Sequence, residues 1–210
     1  DKAFTNLMGI VVEPITMGIV STKFKSEGAL LITHWGMSGP ATLKLSAHAA
    51  RYLQEQNYRV NVAINWVNES NANIVEEHIA NIIQRNPKKH IAGVPPYQLT
   101  NRVWQYLLER ADIDGTKRWD ELGRKGLNKL IETLTNDIHA TQGKGRFKDE
   151  FVTCGGISLQ SVDSSTLESK VCPNLYFAGE LLDIDGITGG FNLQAAWTTG
   201  YVAGTAAATL

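Results

Sequence analysis

The hydrophobic pattern of the N-terminal part consists of short aliphatic runs. Leu7–Glu13, Met17–Phe24 and Ala29–Thr33 are rich in aliphatic side chains, and residues such as Pro14 and Gly28 separate them. Runs of this length and composition, bounded by proline or glycine, are typical of β-strands. The pattern therefore predicts three strands.

A helix and a fourth strand are predicted next. Pro40 suits the first position of a helix, because its fixed φ is helical and its missing N–H needs no partner there. We predict a helix from about Ala41 to Gln54. Between Val60 and Ile64 apolar side chains recur at every second position, which predicts a strand over Tyr58–Asn65.

Apolar side chains then recur at helical spacing between residues 71 and 134. The three stripes are Val75, Ile79, Ile82 and Ile83; Leu99, Val103, Tyr106 and Leu107; and Leu127, Leu130, Ile131 and Leu134. Spacings of three and four residues place side chains on one face of an α-helix. We predict a helical subdomain over residues 71–134.

The remainder of the chain is predicted as short strands, glycine-rich turns and one helix. The predicted strands are Thr135–Thr141, Glu150–Thr153 and Asn174–Ala178, and the helix covers about Phe191–Thr209. The polar, flexible turn at Gln142–Arg146 places the domain boundary near residue 145.

Length and charge limit the classes of function. The chain has 210 residues, which predicts one large domain or two small ones, and its net charge is −1. A balance this close to zero excludes binding of nucleic acid through bulk positive charge, although not through a local basic patch. Because the chain opens with Asp1 rather than Met, we expect a piece of a longer protein.

Cysteine and histidine usage indicates a reducing compartment and no metal site. Cys154 and Cys172 are too few for a disulfide scaffold in a chain of this length, so we expect free thiols and a cytoplasmic location. No pair of histidines has zinc-ligand spacing. The sequence shows no signal peptide and no apolar run near the roughly 20 residues that span a bilayer.

The segment Tyr176–Trp197 carries the strongest chemical signal. A predicted strand leads into three acids (Glu180, Asp183 and Asp185), then into the glycine-rich loop Gly186–Gly190 and a helix. A helix N-terminus with unshielded N–H groups can hold a phosphate or the carbonyl edge of an aromatic ring. The alternative is a structural connection with solvated acids and a buried alanine-rich helix.

Several motifs resemble those of one protein family. Val152–Ile157, Thr166–Lys170, Leu175–Gly186 and Thr188–Gln194 resemble the C-terminal region of the aminoacetone-oxidase-like family of bacterial flavoproteins, described as NAD(P)/FAD-dependent oxidoreductases. Ile32–Pro40 resembles a further motif in the inserted domain of that family. The resemblance extends over nearly the whole chain, with the motifs in the right order.

The resemblance implies an α+β fold in two parts. Residues 1–145 correspond to an inserted domain, made of a small β-barrel-like part and the helical subdomain. Residues 146–210 correspond to the C-terminal piece of a Rossmann-like FAD-binding domain, where the chain returns after the insertion.

The resemblance also implies FAD-binding residues in three segments. Thr153, Gly155 and Gly156 would lie near the flavin ring. Gly179 and Glu180 would lie along the ribityl–pyrophosphate part, with Asp183 following in the same acidic turn. The start of the last helix would meet the pyrimidine edge of the ring through Gly189, Gly190, Phe191, Asn192 and Leu193.

The G-x-G-x-x-G unit that holds the FAD pyrophosphate in that family is absent here. Gly143 and Gly145 are not followed by the third glycine, and Gly36 and Gly39 have the wrong spacing. We therefore expect this chain alone to lack FAD and to be inactive. Its expected partner is the missing N-terminal FAD-binding half of the same protein.

The leading hypothesis is a fragment of an oxidoreductase that transfers hydride between FAD and a small substrate or NAD(P)H. The alternative is a non-catalytic binding module whose helical subdomain contacts a protein or nucleic acid. A serine hydrolase is disfavoured, because the sequence has no G-x-S-x-G motif.

Each of the remaining candidate residues has both a functional and a structural interpretation. His34 is a candidate proton donor, since histidine titrates near neutral pH, or else a structural turn residue. Cys154 either lies near the flavin or is a small buried side chain. For Pro87–His90, with Arg102 and Arg110, we favour a solvated helix face over nucleic-acid contact.

Overall fold

The computed structural model of the chain describes residues 2–145 and 151–209. These residues form two compact units. The first contains residues 2–45 and 56–145, and the second contains residues 46–55 and 151–209. The architecture is α+β, as predicted.

A curled, five-stranded antiparallel sheet forms a half-barrel in the first unit. In chain order its strands are β1 (Val11–Ile19), β2 (Lys25–Thr33), β3 (Gly36–Ser38), β4 (Asn61–Asn65) and β5 (Asp137–Ala140). The order across the sheet is β3-β2-β1-β4-β5. The central strand β1 pairs with β2 through Met17 and Ser26, and with β4 through Met17 and Ile64.

The predicted break at Pro14 is wrong, because β1 runs straight through this residue. The register between β1 and β2 shifts between Val12 and Ile15, so Pro14 lies in a β-bulge. A bulge tolerates proline, since the extra residue has no ladder hydrogen bond to donate. The predicted strand Met17–Phe24 also extends too far, because β1 ends at Ile19 and the chain turns there.

The predicted helix over Ala41–Gln54 consists of two helices, α2 (Pro40–His48) and α3 (Ala50–Glu55). It begins at Pro40, as the proline predicts. The intervening Ala49 is buried. No glycine or proline marks the division, so the hydrophobic pattern could not reveal it.

The helical interpretation of residues 71–134 is confirmed. Besides the short α1 (Lys2–Thr5), the first unit contains α4 (Ala72–Arg85), α5 (Asn101–Arg110) and α6 (Gly123–Thr135). Side chains from all three predicted stripes are buried, namely Val75, Ile79, Leu99, Val103, Tyr106, Leu107, Leu130, Ile131 and Leu134. Asn71 and Thr100 cap the N-termini of α4 and α5. Because α6 continues through Thr135, β5 is shorter than the predicted strand.

A buried carboxylate joins three elements of the first unit. Asp137, at the start of β5, accepts hydrogen bonds from Trp66 Nε1 at 3.1 Å, from Arg110 Nε at 3.0 Å and Nη2 at 2.6 Å, and from His139 Nε2 at 2.7 Å. Burial acts to raise the pKa of Asp137, but His139 and Arg110 outweigh it and hold that pKa below its ordinary value. We call these four residues the Asp137 cluster.

The second unit contains little regular structure besides α3 and the last helix, α7 (Gly190–Ala208). The predicted helix over Phe191–Thr209 is thereby confirmed. The small core of this unit contains Val162, Leu167, Leu182 and Ala203. Neither α7 nor any other helix in the described ranges has the length and apolar character needed to cross a membrane.

Two strand predictions in the second unit are wrong. Over Asn174–Ala178 the only pairing is one isolated bridge, between Tyr176 and Glu168. Of the predicted strand Glu150–Thr153, Glu150 lies outside the described residues and the rest is not strand. A strand requires a continuous ladder with a neighbouring segment, and within the described part of this unit neither segment has one.

Candidate functional site

Two segments with predicted cofactor contacts lie edge to edge in the second unit. The Ile157 N–H donates to the Leu181 carbonyl oxygen at 2.7 Å, and the Asp183 N–H donates to the Ile157 carbonyl oxygen at 2.9 Å. Gly156 permits this approach, because a Cβ on it would lie 2.7 Å from the Leu181 oxygen. The Gly155–Gly156 turn and the acidic turn thus form one structure.

The acidic turn is also attached to α7. It begins with a short 3₁₀ turn, Gly179–Leu181. The Gly179 N–H donates to Thr199 Oγ1 at 2.9 Å, and that hydroxyl donates to the Ala195 carbonyl oxygen at 2.7 Å. The three predicted segments therefore belong to one connected structure: residues 153–156 lead into Ile157, which pairs with the acidic turn, and the acidic turn contacts the middle of α7, beyond the predicted contacts at the helix start.

The N-terminus of α7 follows a glycine with an unusual backbone. Gly189 has φ = +140°, and no side chain of this residue can cap the helix. Glycine adopts such a φ without the strain that a Cβ would impose. A Cβ built on Gly189 or Gly190 would meet no other group within 4 Å. The glycine turn at the start of α7 therefore has open space beside both of its glycines.

Asn192 holds the glycine-rich loop rather than the open side of this turn. Its Oδ1 accepts from the Gly186 N–H at 2.8 Å, and its Nδ2 donates to the Gly186 carbonyl oxygen at 3.2 Å. The side chain thus mimics a backbone pairing across the loop. Because both polar atoms of the side chain bind Gly186, the predicted cofactor contact of Asn192 would have to come from its backbone.

One face of α7 carries large exposed apolar side chains. Leu193, Trp197 and Tyr201 are 60%, 69% and 75% exposed, and Gly200 lies between the two aromatic residues. Spacings of four residues place these side chains on one side of the helix. Phe191 is also exposed, beside the glycine turn.

The three acids of the segment differ in their surroundings. Glu180 and Asp185 are exposed, whereas Asp183 is partly buried and binds the guanidinium of Arg51, on α3. The hydrogen bond to Asp183 is the main cause that raises the pKa of Arg51 above its ordinary value. The sequence did not point to Arg51, because 132 positions separate the two residues.

The candidate residues therefore divide between the units. Those of the predicted FAD set lie in the second unit, together with the half-buried Cys154. His34 lies in the first unit, exposed in the turn between β2 and β3. The catalytic role of His34 stays a prediction.

Three of the basic side chains considered for nucleic-acid contact bind protein groups. Lys88 forms an ion pair with Asp120 at 2.6 Å, and Arg102 donates to the Asn6 carbonyl oxygen at 2.6 Å. Arg110 belongs to the Asp137 cluster. These contacts give each of the three cations a role within the first unit.

A comparison with known protein families identifies the family of this chain. The family model described as HI0933-like protein barrel and H2TH domain matches residues 1–152, and this description fits the curled sheet and the helices of the first unit. The chain belongs to the HI0933-like family. HI0933-like proteins are FAD-dependent oxidoreductases, which confirms the resemblance to a flavoprotein family.

Curated relatives match most of this HI0933-like chain. A 3-dehydro-bile acid delta(4,6)-reductase from Clostridium scindens is 33% identical over 88% of the chain and 45% of its own length. Ribosomal RNA dihydrouridine synthases from Haemophilus influenzae and Escherichia coli are 30% and 28% identical, over 96% and 93% of the chain and 47% and 46% of their own lengths. The chain spans about half the length of these relatives.

Proposed function

We propose that the chain is part of a FAD-dependent oxidoreductase and that its second unit binds the flavin-ring end of FAD. The observation that carries this proposal is the open glycine turn at the N-terminus of α7, the helix to which the acidic turn, and through it the Gly155–Gly156 turn, is attached. Family membership supports the oxidoreductase class.

The residues present fit one end of FAD. The α7 N-terminus offers N–H donors and a partial positive charge, which suit the electron-rich N1–C2 edge of the flavin ring. Thr153 and the two glycines at 155–156 would lie near the ring, and Gly179 and Glu180 would follow the ribityl–pyrophosphate part. The sequence contains no G-x-G-x-x-G unit for the pyrophosphate itself.

In this proposal FAD supplies the hydride chemistry, and the protein supplies position and charge. When bound, FAD would supply hydride exchange with a small substrate, and NAD(P)H is the proposed reductant. The relatives' names, a reductase and dihydrouridine synthases, agree with reduction of an unsaturated substrate. The N–H groups of Gly190 and Phe191 would stabilise negative charge on the ring, and His34 is the candidate proton donor.

The exposed face of α7 supports a larger FAD domain. Trp197 and Tyr201 are large exposed side chains on one face of α7, and contiguous exposed apolar patches often mark an interaction surface. We propose that the N-terminal half of a longer protein covers this face. Residues 146–210 would then be the returning piece of a Rossmann-like domain and residues 1–145 the domain inserted into it, in a cytoplasmic enzyme.

Flavin content tests the proposed function. We expect a protein with the length of the curated relatives to purify yellow, with stoichiometric FAD released on denaturation. We expect the present chain alone to purify without FAD. A colourless longer protein that cannot be loaded with FAD would favour the binding-module alternative, and stoichiometric FAD in this chain alone would overturn the claim of an incomplete site.

Gly190→Val tests the role of the α7 N-terminus. The positive φ lies at Gly189, not Gly190, so a valine at 190 adds bulk without left-handed strain. In the longer protein we expect weaker FAD binding and a lower flavin reduction potential, because interactions with a helix terminus contribute about 0.3–2 kcal/mol. The measurements are FAD titration, potentiometry and apoprotein unfolding. Unchanged affinity and potential in a folded variant would assign this turn a structural role only.

A further inference from the structure

Arg51 connects α3 to the acidic turn of the candidate flavin site. Its Nη2 lies 2.9 Å from Oδ1 and 2.7 Å from Oδ2 of Asp183. Both residues belong to the second unit.

Asp183 stands where the two turns of the site meet. It ends the acidic turn, and its N–H donates to the carbonyl oxygen of Ile157, which follows the Gly155–Gly156 turn. The guanidinium of Arg51 therefore binds the residue that joins both turns of the structure that the proposed function places around the flavin ring. A guanidinium suits this task, because its planar fork fixes the orientation of the groups it binds.

We expect the ion pair between Arg51 and Asp183 to contribute little to the stability of the second unit. The side chain of Arg51 is 69% exposed and that of Asp183 is 27% exposed. Pairs with such exposure usually contribute little to the free energy of unfolding. The pair has a larger effect on the local charge than on stability. It neutralises the Asp183 carboxylate beside the proposed site, whereas Glu180 and Asp185 remain exposed.

We propose that Arg51 is a positioning residue for the flavin: it neutralises Asp183 and holds the two turns in register. This proposal rests on the proposed function, because it requires the flavin ring to lie beside these turns. Reduction adds negative charge to the ring, so the potential responds to the net charge of the Arg51–Asp183 pair.

The test uses the FAD-loaded longer protein and reads out the reduction potential and the affinity for FAD. Arg51→Gln leaves the Asp183 carboxylate unpaired, so we expect a lower potential and about tenfold weaker FAD binding, as for one lost charge-assisted hydrogen bond. Asp183→Asn removes the negative charge that balances the guanidinium, so we expect a higher potential. The double variant, with neither charge, should return toward the wild-type potential.

A matched control separates this effect from a general change of charge. Lys170→Gln removes the same charge from another exposed position of the second unit and should leave the potential unchanged. Shifts in the same direction for Arg51→Gln and Asp183→Asn would indicate a merely structural role and overturn the proposal. Unchanged potentials in variants that hold FAD would overturn it while leaving the proposed function intact. A wild-type protein that binds no FAD would overturn both.

Discussion

Replacing Asp137 with alanine is expected to destabilise the first unit by about 3 kcal/mol. Removing one partner of a buried ion pair usually costs about 3–5 kcal/mol, and the partial exposure of Arg110 places this case at the lower end. Without the carboxylate, Trp66 Nε1 and His139 lose their buried acceptor. The measurement is the free energy of unfolding from denaturant titration.

Asp112→Ala is the matched control for Asp137→Ala. Asp112 also pairs with a cation, Lys129, but its side chain is 91% exposed. We expect a change within about 0.5 kcal/mol, as is usual for surface substitutions. Equal losses for the two variants would contradict the assignment of the Asp137 cluster as the buried polar centre of this unit.

The same cluster predicts a pH dependence. The pKa of Asp137 in the folded state lies below its ordinary value, so the ionised carboxylate stabilises the fold at neutral pH. This contribution is fully present above the unfolded-state pKa of about 4 and is lost as the pH falls through the folded pKa. Asp137→Ala should therefore lose less stability than the wild type on acidification below about pH 4.

Gly156→Ala is expected to separate the two turns of the candidate site. A Cβ at this position would lie 2.7 Å from the Leu181 oxygen and 2.7 Å from the Leu182 carbonyl carbon, and these backbone atoms cannot rotate away as a side chain can. Overpacking of this kind costs about 1–3 kcal/mol. We expect faster hydrogen exchange at the N–H groups of Ile157 and Asp183, and reduced FAD binding in the longer protein.

Gly200→Ala serves as the control for Gly156→Ala in the present chain. It adds the same methyl group inside α7, where the new Cβ would meet no other group within 4 Å. Because alanine favours a helix by about 1 kcal/mol over glycine, this variant should be neutral or more stable. If Gly156→Ala left the exchange of Ile157 and Asp183 unchanged, the close approach of the two turns would be wrong.

The helices and the main strands follow from sequence periodicity, whereas the errors have local physical causes. The stripes of α4, α5 and α6 predict buried faces that the structure confirms, because helical spacing alone determines which side chains share a face. The break predicted at Pro14 failed because proline can occupy a bulge. The strand predicted over Asn174–Ala178 failed because strand formation depends on a partner elsewhere in the chain.

The candidate site shows the same division between local and long-range information. The glycine turns and acids lie in continuous motifs, so the sequence pointed to them directly. Arg51 and the Asp137 cluster depend on contacts between residues far apart in the chain: Arg51 with Asp183, and Trp66 with Asp137. No local pattern around Arg51 or Trp66 specifies these partners, and only the folded structure reveals them.

The most direct test of the central claim is photolabelling of the longer protein with FAD that carries an azide on its flavin ring. Peptide mapping after illumination would locate the ring on the chain. We predict labels within residues 151–157, which contain the Gly155–Gly156 turn, or within residues 186–193, which contain the glycine-rich loop and the start of α7. Labels confined to the helices of residues 72–135, or absent from this chain altogether, would contradict the assignment of the second unit as the flavin-ring site.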